Sequence, residues 1–151
     1  MDRIYSAIDA GDFVLFISID LRKAFEVIRH DILIEKLENV GIRGSILQWF
    51  VSYLNDRWHR TYVNNSHSNY LCMKTGVPEG SCLRPLMFLI YVSDISNIID
   101  SGMLNMFADD TVILIRGSNI KDIFANANNK LKILGNFFKA NGIQINEDKT
   151  R

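Results

Sequence analysis

Cysteine is nearly missing from this chain: Cys72 and Cys82 are the only two in 151 residues. They form no CxxC and have no histidine partners at zinc spacing, which argues against a disulfide framework and a structural zinc site. A reducing, intracellular compartment is the expectation that follows. Net charge is missing as well, because 17 Lys and Arg balance 17 Asp and Glu. No overall field draws the chain to nucleic acid, a membrane surface or an acidic partner. A self-sufficient nucleic-acid enzyme usually carries a basic surface, so neutrality counts against one. Long apolar runs are lacking too. The run PLMFLIYV at 85–92 falls well short of the ~20 residues that span a bilayer. The opening MDRIYSAIDAGD places charges where a signal peptide would be apolar. With 48% hydrophobic and 11% aromatic residues, the expectation is one soluble domain able to bury a core.

What is present reads as alternating strands and helices. FVLFISI at 13–19 is a β-rich run that predicts a buried strand ending at Asp20. Ile32, Leu33, Ile34, Leu37 and Val40 mark a helix over 31–40, with Gly41 at its C-terminal end. Ile46, Trp49, Phe50, Tyr53 and Leu54 form the stripe of a second helix from about Ser45. Residues 59–75 predict a hairpin turning at Asn64-Asn65-Ser66. A loop, GVPEG at 76–80, leads to Ser81, which can cap a helix with Pro85 near its start and extending towards Ile99. Two strands at 103–108 and 111–116 meet at Asp109-Asp110. A clear amphipathic helix runs from Ile120 to Phe138, Gly142 ends it, and IQI at 143–145 is a last short strand. With 21–80 set aside as an insertion, the order is strand, helix, strand, strand, helix, strand. That is the α+β, ferredoxin-like (split βαβ) order, and it brings Asp20 beside the central hairpin.

Asp109 and Asp110 admit two interpretations. As an isolated pair they are solvated turn residues, and Asp20 a helix N-cap. If the three converge, carboxylates crowded at a partly buried site repel, and one must protonate or a cation must neutralise them. Oxygen ligands of this kind suit Mg²⁺, which keeps several waters and completes its shell with substrate phosphates. Two such ions can activate an attacking hydroxyl and stabilise a leaving oxygen. Phosphoryl transfer needs mainly positioning and charge stabilisation, so few side chains are required.

The surrounding motifs narrow this choice. FADD at 107–110 resembles the FADD or YADD box of reverse transcriptases. IDLRKAF at 19–25 is similar to their DLSKAFD segment, and GVPEGSCLRPLMF at 76–88 to GVPQGSVLGPLLF. Asn141-Gly142 with NEDKT at 146–150 resembles the segment closing the palm. Gly41-Ile42, Trp49-Phe50, Tyr53-Leu54 and Arg57 match the linking pattern of non-LTR retrotransposons. Ala108 also fits that branch better than LTR-type enzymes, which usually carry a larger residue there. The resemblance covers nearly the whole chain.

The resemblance implies an RNA-directed DNA polymerase palm with partial fingers at 21–80. Asp20, Asp109 and Asp110 would hold two Mg²⁺, with Mn²⁺ as a substitute. Phe25 would block a ribose 2′-OH and select deoxynucleotides. Pro78, Glu79, Gly80 and Ser81 would contact the incoming dNTP and template, and Lys149 would protonate the leaving pyrophosphate. Outside the motif, Phe25 would read as core and Lys149 as a solvated charge. The implied partners are an RNA template, a DNA primer and dNTP, with no membrane; the oligomeric state stays open. The implied location is the nucleus.

The chain also departs from the pattern. Glu79 stands where the family has Gln, replacing a donor and acceptor by a group that only accepts and repels phosphate. Arg84 replaces the Gly before Pro85, and Glu26 replaces an Asp. An Arg84–Glu79 ion pair is open to the sequence. The thumb and upstream fingers segments have no counterpart in 1–151. An alternative is therefore a non-catalytic palm remnant acting as a nucleic-acid-binding or interaction module. A nucleotide cyclase would need a GGDEF-like hairpin, and a maturase a basic C-terminal domain.

Overall fold

Seven consecutive β-rich residues, Phe13–Ile19, form a single strand as expected. It is not the buried strand expected: only Ile17 and Ile19 are buried, while Phe13, at the strand's start, and Phe16, on its uncovered face, are exposed. The computed structural model describes residues 2–100 and 104–151. The chain divides into two compact units, one drawn from Met1–Ala24 with Ser93–Arg151 and the other being Phe25–Val92. The first unit opens with α1 (Asp2–Asp9), β1 (Phe13–Ile19) and β2 (Leu21–Arg22). The second holds α2 (His30–Asn39), α3 (Gly44–Leu54), β3 (Trp58–His59), β4 (Tyr62–Val63), β5 (Ser66–His67), β6 (Leu71–Cys72) and α4 (Arg84–Val92). The chain then returns to the first unit with a 3-10 segment (Ser93–Asn97), β7 (Leu104–Phe107), β8 (Asp110–Gly117), α5 (Ile120–Ala140) and β9 (Gln144–Ile145).

In the first unit β8 is the middle strand of an antiparallel sheet ordered β1-β8-β7. The β1 register runs from Phe13↔Gly117 to Ile19↔Thr111. Period-two alternation gives this sheet one dry face: Ile17, Ile19, Thr111, Ile113 and Ile115 are buried. The helix α5 packs on β8 and buries Ile123, Ala127, Leu134 and Phe138. Its start is capped by Asn119, whose side chain accepts from the Lys121 N–H at 2.9 Å. The strand β9 does not join this sheet. It pairs with β2, the continuation of β1 past Asp20.

Thr111 is the polar exception on the dry face. It is fully buried, and its hydroxyl has no hydrogen-bond partner. An unsatisfied buried hydroxyl is costly, whereas a methyl of the same shape is not. Thr111→Val should therefore raise unfolding stability by about 1 kcal/mol. A urea midpoint that rises at unchanged slope is the expected observation, and a lower midpoint would contradict it.

In the second unit α2 packs against α3 and α4. It buries His30, Leu33 and Leu37, while α3 buries Phe50 and Leu54 and α4 buries Met87, Phe88, Tyr91 and Val92. The Lys36 ammonium donates to the Tyr91 carbonyl and lies 5.0 Å from the centroid of its ring. Between α3 and α4 the chain makes a nested hairpin, β3 with β6 and β4 with β5. Its tip is Asn64-Asn65, both with positive φ, a conformation that asparagine tolerates better than most residues.

Several expectations shift. The predicted turn at Asp109-Asp110 lies one residue earlier, because Phe107 pairs with Asp110 and leaves Ala108-Asp109 as the turn. The expected strand start at 103 lies outside the described residues. The helix expected to extend towards Ile99 ends as α at Val92 and tightens into the 3-10 segment. Ile46 and Trp49 belong to the predicted stripe of α3 but stay 61% and 51% exposed. The helix α1 is missing from the expectation, although Ile4, Ala7 and Ile8 recur at helical spacing within its charged sequence. Among the described residues no helix is long and apolar enough to cross a membrane.

Candidate active site

Asp20 sits at the break between β1 and β2, where the ladder with β8 has ended and pairing with β9 begins. It directly follows Ile19, and Asp110 directly precedes Thr111, the partner of Ile19. The two carboxylate-bearing residues are thus neighbours across the end of the ladder, where opposite Cα atoms lie about 4.5–5.5 Å apart. Alternation sets both off the dry face, in step with Ser18 and Val112. Asp109 stands in the turn between β7 and β8, half-buried, next to Ala108, whose φ is +54°. A non-glycine residue there is strained, and the turn holds it because the ladder on both sides fixes its ends.

Asp20 is held on both its backbone and its side chain. Its carbonyl accepts from the Asn146 N–H at 2.8 Å, and the Asn146 amide donates to Asp20 Oδ2 at 2.7 Å. Asn146 carries no role in the sequence-based expectation; the only signal for it is its place at the head of the NEDKT segment. Thr150 donates from its hydroxyl to the Asn146 carbonyl at 2.8 Å, closing a tight turn. Lys149, exposed, rides on that turn. On the next stretch, Ser18 and Arg151 exchange backbone hydrogen bonds at 2.6 and 3.0 Å. The backbone therefore gathers Asp20, Asp109, Asp110 and the Asn146–Lys149 turn within the first unit. Among the described residues no group of three or more His, Cys, Asp or Glu side chains is arranged to hold a metal ion. The donor chemistry nevertheless suits a hard divalent cation: carboxylate oxygens, two of them on register-neighbouring residues, one already oriented by an amide.

The other predicted residues lie in the second unit. The loop 76–81 is tied to the segment carrying Phe25 by three hydrogen bonds. The Gly76 N–H donates to the Ile28 carbonyl at 2.8 Å and the Val77 N–H to the Phe25 carbonyl at 3.1 Å. His30 Nε2 lies 2.8 Å from the Gly76 carbonyl, so that nitrogen carries the proton. Gly76 has φ +82°, and an added Cβ would stand 3.0 Å from the Glu26 carbonyl oxygen. Gly76→Ala should cost about 2–3 kcal/mol by strain and close contact together; an unchanged urea midpoint would contradict this. Ser81 is engaged as well: its Oγ accepts from the Tyr53 hydroxyl at 2.7 Å and from the Leu83 N–H at 3.1 Å. That second bond shapes a turn ahead of α4, which begins only at Arg84. Pro78 is half-buried, while Glu79 and Gly80 are exposed. The Phe25 ring packs on Phe88 with centroids 5.0 Å apart. The Arg84–Glu79 pair left open by the sequence is formed, Nη1 to Oε1 at 3.5 Å.

Comparison with known proteins bears on the family of the chain. The model of the family "Reverse transcriptase (RNA-dependent DNA polymerase)" matches residues 6–151. A probable RNA-directed DNA polymerase from transposon BS of Drosophila melanogaster is 28% identical, over 98% of this chain and 17% of its own length. The Pol polyprotein of the type-1 retrotransposable element R2 of Popillia japonica is 22% identical, over 88% of this chain and 23% of its own. The chain thus spans about a fifth of the length of these curated relatives. Among solved structures, telomerase from Candida albicans, determined with a fragment of telomeric RNA, superposes with a TM-score of 0.71. That match has 15% identity and covers 99% of this chain and 30% of that one. With its family model matched from residue 6 to the last, the chain belongs to the reverse transcriptase (RNA-dependent DNA polymerase) family.

Proposed function

We propose that this chain is the palm, with part of the fingers, of a non-LTR retrotransposon reverse transcriptase, and that it joins a dNTP to a primer 3′-OH on an RNA template. The observation that carries this is the register of β1 on β8, which makes Asp20 and Asp110 neighbours at the end bearing the Ala108-Asp109 turn. The strand order β1-β8-β7, with β9 on the continuation of β1, supports a ferredoxin-like palm.

Asp20, Asp109 and Asp110 would hold Mg²⁺ or Mn²⁺. When bound, such ions lower the cost of deprotonating an attacking hydroxyl and of building charge on a leaving oxygen. Asn146 donates to one oxygen of Asp20, the kind of supporting bond that would steady the carboxylate as a ligand. Lys149, on the same turn, would give a proton to the leaving pyrophosphate. Phe25 would lie against the sugar and reject a 2′-OH, and residues 78–81 would meet the base pair being formed.

Incorporation of labelled dNTP onto a primer annealed to RNA, with and without a chelator, tests the proposal. Chelator-sensitive, template-dependent extension is expected; its absence with Mg²⁺ and Mn²⁺ alike would overturn the activity. In the same assay Asn146→Ala should lower the rate roughly 10–100-fold, the usual effect of releasing a metal-bound carboxylate from its partner. A wild-type rate would remove Asn146 from the site.

A further inference from the structure

We propose that Arg84 and Glu79 form a positioning pair that fixes the Phe25 ring and so sets how strictly the nucleotide sugar is discriminated. The inference rests on the assignment of Phe25 to the sugar site made above. Both residues depart from the family pattern, which has Gly and Gln at these positions, and the two departures meet. Arg84 Nη1 lies 3.5 Å from Glu79 Oε1, and the guanidinium carbon stands 4.6 Å from the Phe25 ring centroid. That distance is within cation–π range.

The Arg84 side chain is only 21% exposed, and its Nε–H is buried without a partner. Burying a cation is unfavourable unless opposite charge or a ring face offsets it, and here Glu79 and Phe25 are those groups. Phe88, 5.0 Å from the Phe25 centroid, restricts the same ring. The Val77–Phe25 hydrogen bond ties the loop of Glu79 to the backbone that carries the ring. Two substitutions that look like separate lesions in sequence are one linked arrangement in space. Glu79 is 80% exposed, so its hold on Arg84 is open to screening by salt.

The test compares kcat/KM for dNTP and NTP in primer extension by the wild type, Phe25→Ala, Arg84→Ala, Arg84→Lys and Glu79→Gln. Arg84→Ala is expected to lower the dNTP preference about tenfold while leaving kcat for dNTP within a few-fold. Arg84→Lys, which keeps the charge without the planar group, should fall between it and wild type. Glu79→Gln should lower the preference less, and should add nothing to Arg84→Ala if the two act as a unit. Unchanged preference in Arg84→Ala and Arg84→Lys, with relaxed preference in Phe25→Ala, overturns the pair and leaves the sugar-site assignment standing. Unchanged preference in Phe25→Ala overturns that assignment and the inference with it. An upfield ring-current shift of the Arg84 side chain, lost in Phe25→Ala and reduced by salt, is expected by NMR. Random-coil Arg84 shifts in the wild type would overturn the contact whatever the activity.

Discussion

Asp109→Asn should reduce RNA-templated primer extension by on the order of 10³-fold and leave the fold intact. A cation held at a reacting phosphate supplies several kcal/mol of transition-state stabilisation, and each 1.36 kcal/mol is tenfold in rate. Asn has the size of Asp and keeps one oxygen acceptor, but it removes the negative charge that would hold the ion. The fold should not register the change. Asp109 sits in a turn closed by the Phe107↔Asp110 pair, outside the dry face of the sheet, and Asn is at home in turns. Superimposable far-UV spectra and urea midpoints, alongside lost extension, are the expected outcome. Asp20→Asn should match it in rate but also weaken the bond from Asn146, which now meets a neutral acceptor. Extension at the wild-type rate in either variant would show that these carboxylates do not carry the chemistry.

Phe88→Ala should be the largest stability loss among the changes considered, about 3–5 kcal/mol. Phe88 is fully buried on α4, the helix that packs against α2. Truncating it removes apolar contacts and leaves a cavity that helices tied at both ends cannot collapse to fill. The same substitution takes away the ring against Phe25, so residual folded protein should also bind nucleotide less selectively. Leu at this position keeps most of the volume and should cost less. Urea unfolding of both variants checks the order; equal midpoints for Ala and wild type would contradict the packing.

How much of this was legible in the residues varies with the physics involved. The strand β1 and the helix α5 lie within about two residues of their predicted ends, because β1 is an unbroken β-rich run, α5 has a strong 3.6-residue apolar period, and each has a defined stop. Asp20 and Asp110 as neighbours followed from strand order alone. The misplaced turn is a register matter: whether Asp110 belongs to the turn or the strand depends on which residue faces Phe107, and composition does not decide that. Ile46 and Trp49 carry a stripe pattern yet stay exposed, since periodicity marks a possible buried face and not what covers it. Asn146 escaped notice because its partner lies 126 residues away, and no local pattern encodes so distant a hydrogen bond. The Arg84–Glu79 pair could be named from opposite charges at close spacing, but its contact with Phe25 needed the fold of the 76–84 loop back onto residue 25.

Backbone amide spectra recorded during a Mn²⁺ titration test most directly whether these carboxylates form a cation site. The amides of residues 18–21, 107–111 and 146 should broaden first, and the effect should vanish in an Asp20→Asn, Asp109→Asn double variant. Broadening that begins instead at the exposed Glu147 and Asp148, and persists unchanged in the double variant, would contradict the site.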